Sequence, residues 1–134
     1  AYLFAGRSMD RNVISALKEN LISKGEASAL FGNERNKSLG AILGNIEQTF
    51  GGECLYSSVE EKAANLLYFV IKDHPFTDGN KRIACLLFIA YLTLQGISLE
   101  LNENGMVALT LLTADSDPVQ KELIVKLITN LIAA

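Results

Sequence analysis

The stretch His74-Pro75-Phe76-Thr77-Asp78-Gly79-Asn80-Lys81-Arg82 brings a base, a carboxylate, a glycine and two cations into one uninterrupted run. His74 is the only histidine of the chain, and imidazole, with an unperturbed pKa of about 6.5, is the side chain best suited to accept a proton at neutral pH. Asp78 supplies the kind of carboxylate that Mg²⁺ uses, since that ion is commonly held by one or two carboxylates together with substrate phosphates and water. Gly79 lets the backbone approach a phosphate closely. A helix starting here would point its first N–H groups and the positive end of its dipole at the same place, making an anion cradle of Gly79, Asn80 and Lys81. Lys81 and Arg82 add cations where they oppose that dipole, a conflict that a bound polyanion removes. The chemistry expected is proton removal from an attacking hydroxyl by His74 while a metal ion and the cations stabilise charge on a phosphate.

Such a loop needs a helix on either side. Upstream, Ser58-Val59-Glu60-Glu61 has the pattern of a capping box, and Val59, Ala63, Leu66, Leu67 and Val70 recur at helical spacing up to about Lys72. His74-Pro75 ends that helix, because proline disfavours helical geometry in the residue before it. Downstream, the apolar run from Ile83 predicts a buried helix to Leu94 at the centre of the fold. Met9, Val13, Leu17 and Leu21 predict an amphipathic first helix, and Leu39, Ile42, Leu43 and Ile46 a second, with an exposed loop over Phe31 to Asn36 between them. Two further helices are expected over Asn104 to Ala114 and Pro118 to Ile132, the last with Asp117 as N-cap and Pro118 at its first position. The sole β signal is Gln48-Thr49-Phe50 and Glu53-Cys54-Leu55-Tyr56 around Gly51-Gly52, a pair that permits a tight hairpin. The fold class expected is all-α, a helical bundle with one short hairpin.

HPFTDGNKR resembles the signature of the Fic/Doc family, in which HPF-x-(D/E)-G-N-(G/K)-R runs from a loop into a central helix. With the hairpin and the helix–loop–helix order, the resemblance extends over most of Ser38 to Leu94. It implies a transferase that moves a phosphate-containing group from a nucleotide, ATP being the expected co-substrate, onto a hydroxyl side chain of a target protein. His74 would then be the general base and Asp78 the Mg²⁺ ligand. Gly79, Asn80, Lys81 and Arg82 would contact the phosphates, and Phe76 would anchor the loop in the core. The hairpin residues Thr49, Phe50, Gly51, Gly52 and Glu53 would form a flap that holds an extended target segment by strand-like pairing. An antitoxin or other regulatory partner is also implied.

Two positions depart from the adenylylating pattern. Where those members have a second glycine and, three residues after the signature arginine, another arginine, this chain has Lys81 and Cys85. That combination is similar to the Doc-like branch and favours transfer of the terminal phosphoryl group, with AMP transfer by the same site as the alternative. Ser15 to Asn20 matches a loose self-inhibitory motif of the family, but the arginine with which Glu19 would pair is replaced by Cys85, so self-inhibition is not expected.

Each of these residues also has a plainer role. His74 could cap helix carbonyls, Asp78 could cap the next helix without metal, and the Gly51-Gly52 pair could be a turn and nothing more. Cys85, at the start of an apolar run, reads as a small core residue. A binding module that uses the same pocket without turnover is the alternative from outside the enzymes.

The bulk properties are consistent with one domain over residues 1–134: 49% of the 134 residues are hydrophobic, enough for a single core. Twelve Lys and Arg against fifteen Asp and Glu leave a net charge of -3, which argues against nucleic acid and anionic membrane as partners. Cys54 and Cys85 have neither metal-ligand nor redox spacing, which points to a reducing, cytoplasmic setting. The apolar run from Ile83 to Leu92 is too short to span a bilayer. The start Ala1-Tyr2-Leu3, with no initiator Met and no charged signal-like start, reads as part of a longer chain.

Overall fold

A computed structural model describes residues 38–46, 49–50, 53–54 and 58–133. Its elements are α1 (Ser38–Ile46), β1 (Thr49–Phe50), β2 (Glu53–Cys54), α2 (Val59–Asp73), α3 (Asn80–Leu94), α4 (Glu103–Asp115), a 3₁₀ turn (Pro118–Gln120) and α5 (Lys121–Ala133). The predicted helix on Met9 to Leu21, the loop over Phe31 to Asn36, Glu19 and the Gly51-Gly52 pair lie outside the described residues. The two short strands pair antiparallel, Thr49 opposite Cys54 and Phe50 opposite Glu53. No helix among the described residues is long and apolar enough to cross a membrane.

Among the described residues the hub is α2, which packs against each of the other four described helices. Its residues Ala63 to Tyr68 are buried without interruption, a pattern that only a helix enclosed on every side produces. Among the described residues α2 is therefore the more enclosed of the two helices that flank the loop. α3 does bury Ile83, Leu87, Phe88 and Tyr91, but Lys81, Arg82, Ile89 and Thr93 are exposed along it. The small side chains Ala63 and Ala64 are the physical reason, since they let neighbouring helices approach α2 closely. Fully buried Leu66 and Leu67 each contribute roughly 1.5–3 kcal/mol through burial.

Capping fixes the ends of the elements that flank the loop. The Ser58 hydroxyl accepts the Glu61 N–H at 3.0 Å, and Glu60 and Glu61 complement the dipole in the first turn of α2. Lys72, in its last turn, reaches across to the end of α4, where Nζ donates to the carbonyls of Ala114, at 3.1 Å, and Ser116. α3 closes in a Schellman motif: Gly96, at φ 78°, donates to Thr93 O at 3.0 Å and Ile97 to Leu92 O at 2.9 Å. The last helix begins differently from its pattern. Asp117 and Gln120 form a reciprocal capping box around Pro118, which tightens the first turn into 3₁₀ geometry before α5 proper starts at Lys121.

Candidate active site

The site is built where α2 stops and α3 starts. Asp73 is the last residue of α2, and His74 caps it in the left-handed region at φ 51°, ψ 59°. His74 is the only non-glycine residue with positive φ among the described residues. It also precedes Pro75, a position that sterics push toward extended geometry. A bulky side chain held there stores about 1–3 kcal/mol of backbone strain, which the surrounding structure must over-determine.

What holds it is the segment that follows. Pro75 and Phe76 turn inward, Phe76 being 2% exposed, while His74, Thr77 and Asp78 remain at the surface. Asn80, the first residue of α3, then closes the loop from the other side: the Phe76 N–H donates to Asn80 Oδ1 and Asn80 Nδ2 donates to the Phe76 carbonyl, both at 2.9 Å. The loop is therefore pinned by one apolar side chain and one bidentate amide.

Gly79 begins α3 at φ 85°, ψ 17°, and its carbonyl accepts the Ile83 N–H at 2.9 Å. The N-cap residue, a glycine, offers no side-chain bond to this helix start, and no acidic residue lies in its first turn. A glycine at the N-cap lets an external acceptor approach the first backbone donors of the helix closely. Lys81 and Arg82, both exposed, add positive charge at the same end. In a chain of net charge -3 this concentrates attraction for an anion at one spot.

These parts share one cavity of about 380 Å³, lined by His74 and by every residue from Thr77 to Arg82. Of the residues predicted from sequence, His74, Asp78, Gly79, Asn80, Lys81 and Arg82 are thus brought together, and Phe76 lies beneath them in the core. Thr77 was not foreseen; its place between the buried Phe76 and Asp78 is its only signal. The hairpin residues Thr49, Phe50 and Glu53 are placed by their backbone pairing alone.

A larger groove of about 500 Å³ runs between α2 and α5, with Asn65 and Lys121 on its walls. It contains neither the histidine nor a glycine-started helix end, so the smaller cavity is the one that gathers the residues expected from sequence to contact phosphate. Among the described residues no cluster of three or more His, Cys, Asp or Glu side chains could hold a metal ion unaided. Asp78 on the cavity wall still suits Mg²⁺, which draws most of its ligands from phosphates and water.

Two neighbours shape the electrostatics. Burial raises the Asp73 carboxyl above its ordinary value, and the charges of His74 and Lys121 pull part of that back. Burial also raises the Cys85 thiol, as befits a half-buried side chain packed against the core rather than a nucleophile.

The Fic/DOC family matches this sequence over residues 8–92, more than half of the chain. No curated protein and no solved structure matches it.

Proposed function

The chain belongs to the Fic/DOC family, and from that premise we propose that it transfers the terminal phosphoryl group of ATP to a hydroxyl side chain of a target protein. The observation that carries the reading is the shared cavity, lined by His74, whose backbone has positive φ, together with the glycine-capped, cation-flanked start of α3.

In this reading His74 takes the proton from the target hydroxyl as its oxygen forms a bond to the γ phosphorus. The bond from that phosphorus to the bridging oxygen of the leaving ADP breaks as the new one forms. The N–H groups of the first turn of α3, with Lys81 and Arg82, stabilise the negative charge on the phosphate oxygens. Asn80 holds the loop through Phe76 and keeps one amide hydrogen for a phosphate contact. Asp78 would hold Mg²⁺, which would offset the negative charge of the phosphate. Backbone groups of the hairpin over Thr49, Phe50, Gly51, Gly52 and Glu53 would align an extended segment of the target by strand addition. A regulatory partner such as an antitoxin would act by covering the same cavity.

Support for phosphoryl over AMP transfer comes from Lys81 and Cys85. The half-buried thiol of Cys85, raised by its apolar setting, places no second cation one turn beyond Arg82. Incubation of the protein with ATP labelled at the α or the γ phosphate and a cell lysate, with mass spectrometry of labelled proteins, tests this. Label from the γ position is expected, and its loss in His74→Ala. Label from the α position only would assign AMP transfer. Target binding that survives His74→Ala, with no label in either protein, would make the domain a binding module.

A further inference from the structure

We propose that the outward face of α4 is a docking surface for a basic amphipathic helix of a separate protein, an inference independent of the transfer reaction. α4 distributes its side chains in an unusual way. Toward α2 and α3 it buries Met106, Leu109, Thr110 and Thr113. Two of these four are threonines, whose hydroxyls are returned to their own helix: Thr110 to Val107 O and Thr113 to Leu109 O, each at 2.8 Å. The opposite side carries the stronger apolar residues, with Val107 53%, Leu111 50% and Leu112 48% exposed. Val107 and Leu111 lie one turn apart and form a stripe along this side, with Leu112 about 100° further round the helix. A helix apolar on both sides is the pattern of a helix covered on both sides.

Glu103, one turn before Val107, and Asp115, one turn after Leu111, close the two ends of the stripe with acids, and this rim identifies what covers it. Between Ile97 and Gln120 the charged residues are Glu100, Glu103, Asp115 and Asp117, with no Lys or Arg among them. All four are exposed. Lys72, which does reach this helix, directs its ammonium to the Ala114 and Ser116 carbonyls at its C-terminal end. α5 also exposes leucines, Leu123 and Leu127, yet Lys121, Glu122 and Lys126 give it mixed charge and no preference for one kind of partner. On α4 the acids select. A second copy docked face to face would set acidic rim against acidic rim, which is repulsive. An anionic lipid surface is disfavoured for the same reason. A helix with apolar residues at i, i+3 or i+4, and i+7, flanked by Lys and Arg, satisfies both the stripe and the rim.

The full chain is titrated, by fluorescence anisotropy, into two labelled peptides of about 18 residues, long enough for a leucine stripe of five turns. Both carry the same stripe, one flanked by lysines and the other by glutamates. The lysine peptide is expected to bind at least about tenfold more tightly, with affinity falling as salt is raised. Val107→Ser with Leu111→Ser should weaken it about tenfold or more, and Glu103→Gln with Asp115→Gln should flatten the salt dependence. Leu123→Ser on α5 should change nothing. Circular dichroism melts verify that each variant is folded. Equal binding of both peptides, or binding indifferent to the α4 changes, overturns the proposal. So does self-association that Leu111→Ser abolishes, which would make the occupant a second copy. Failure of the lysine peptide to bind likewise overturns it, and slow hydrogen exchange over residues 104–112 in the free chain would then assign the face to a segment of this same chain.

Discussion

Asn80 grips the backbone of Phe76 at both ends, accepting from its N–H and donating to its carbonyl at 2.9 Å each. The amide thus fixes the loop between the proposed base and the proposed phosphate cradle, His74 on one side and Gly79 on the other. Asn80→Ala removes both bonds and leaves two part-buried backbone groups without partners, at a cost of roughly 2 kcal/mol. Asn80→Asp retains the acceptor and loses the donor, so its stability should fall between the two. Urea melts of the three proteins check the order. Transfer activity should drop further than stability in Asn80→Asp, because a carboxylate there would also repel phosphate.

His74 combines positive φ with a following proline. His74→Gly relieves the αL penalty and is expected to stabilise the fold by about 0.5–1 kcal/mol. His74→Ala keeps a Cβ in the strained position and should leave stability near that of the parent. Both should abolish transfer. A rise in melting temperature for the glycine variant alone would show that the fold holds the imidazole at its own expense, a trade seen where activity needs a strained geometry. Equal melting temperatures for the two variants would show that the strain is negligible.

The sequence announced this site more fully than the architecture around it. The run from His74 to Arg82 was readable because each side chain has a chemistry of its own, and periodicity located α1, α2 and α4 to within a residue or two. α3 begins at Asn80, three residues ahead of the apolar run, because the clamp on Phe76 and the αL geometry of Gly79 start the helix among charged residues that carry no hydrophobic signal. The conformation of His74 was hidden for a related reason. Local sterics before proline argue for extended backbone, and it is the burial of Pro75 and Phe76 that overrides them. The enclosure of α2 among the described helices was less legible, since the adjacent Ala63 and Ala64 look weakly hydrophobic until neighbours close around them.

Lys72 joins the end of α2 to the end of α4 through the carbonyls of Ala114 and Ser116. A cation at a helix C-terminus satisfies acceptors that have no partner within the helix and favours the dipole there. Lys72→Met preserves most of the stem packing and removes the donors, so the expected loss is roughly 1–2 kcal/mol. Hydrogen exchange should locate the effect, with faster exchange in the last turn of α4 and little change at Leu66 and Leu67.

Asp73 provides the pH-dependent case. Burial raises its carboxyl above the ordinary value of 3.8, and attraction to His74 and Lys121 offsets this only in part. A carboxyl raised in the folded state binds its proton more tightly there than in the unfolded chain. Its contribution to stability is therefore fully present below 3.8 and is lost as the pH rises through the folded value. Above that window the ionised group is a small liability, and its place at the negative end of the α2 dipole adds to it. Because the burial is only partial and Asp73 stays largely open to water, solvent screening keeps the effect small. Asp73→Asn should raise the melting temperature by about 2 °C or less at pH 7, with the gain disappearing as the solution is acidified below 3.8. A gain that persists in acid would trace instead to packing, and a loss at pH 7 would mean that the attraction to His74 and Lys121 outweighs the burial.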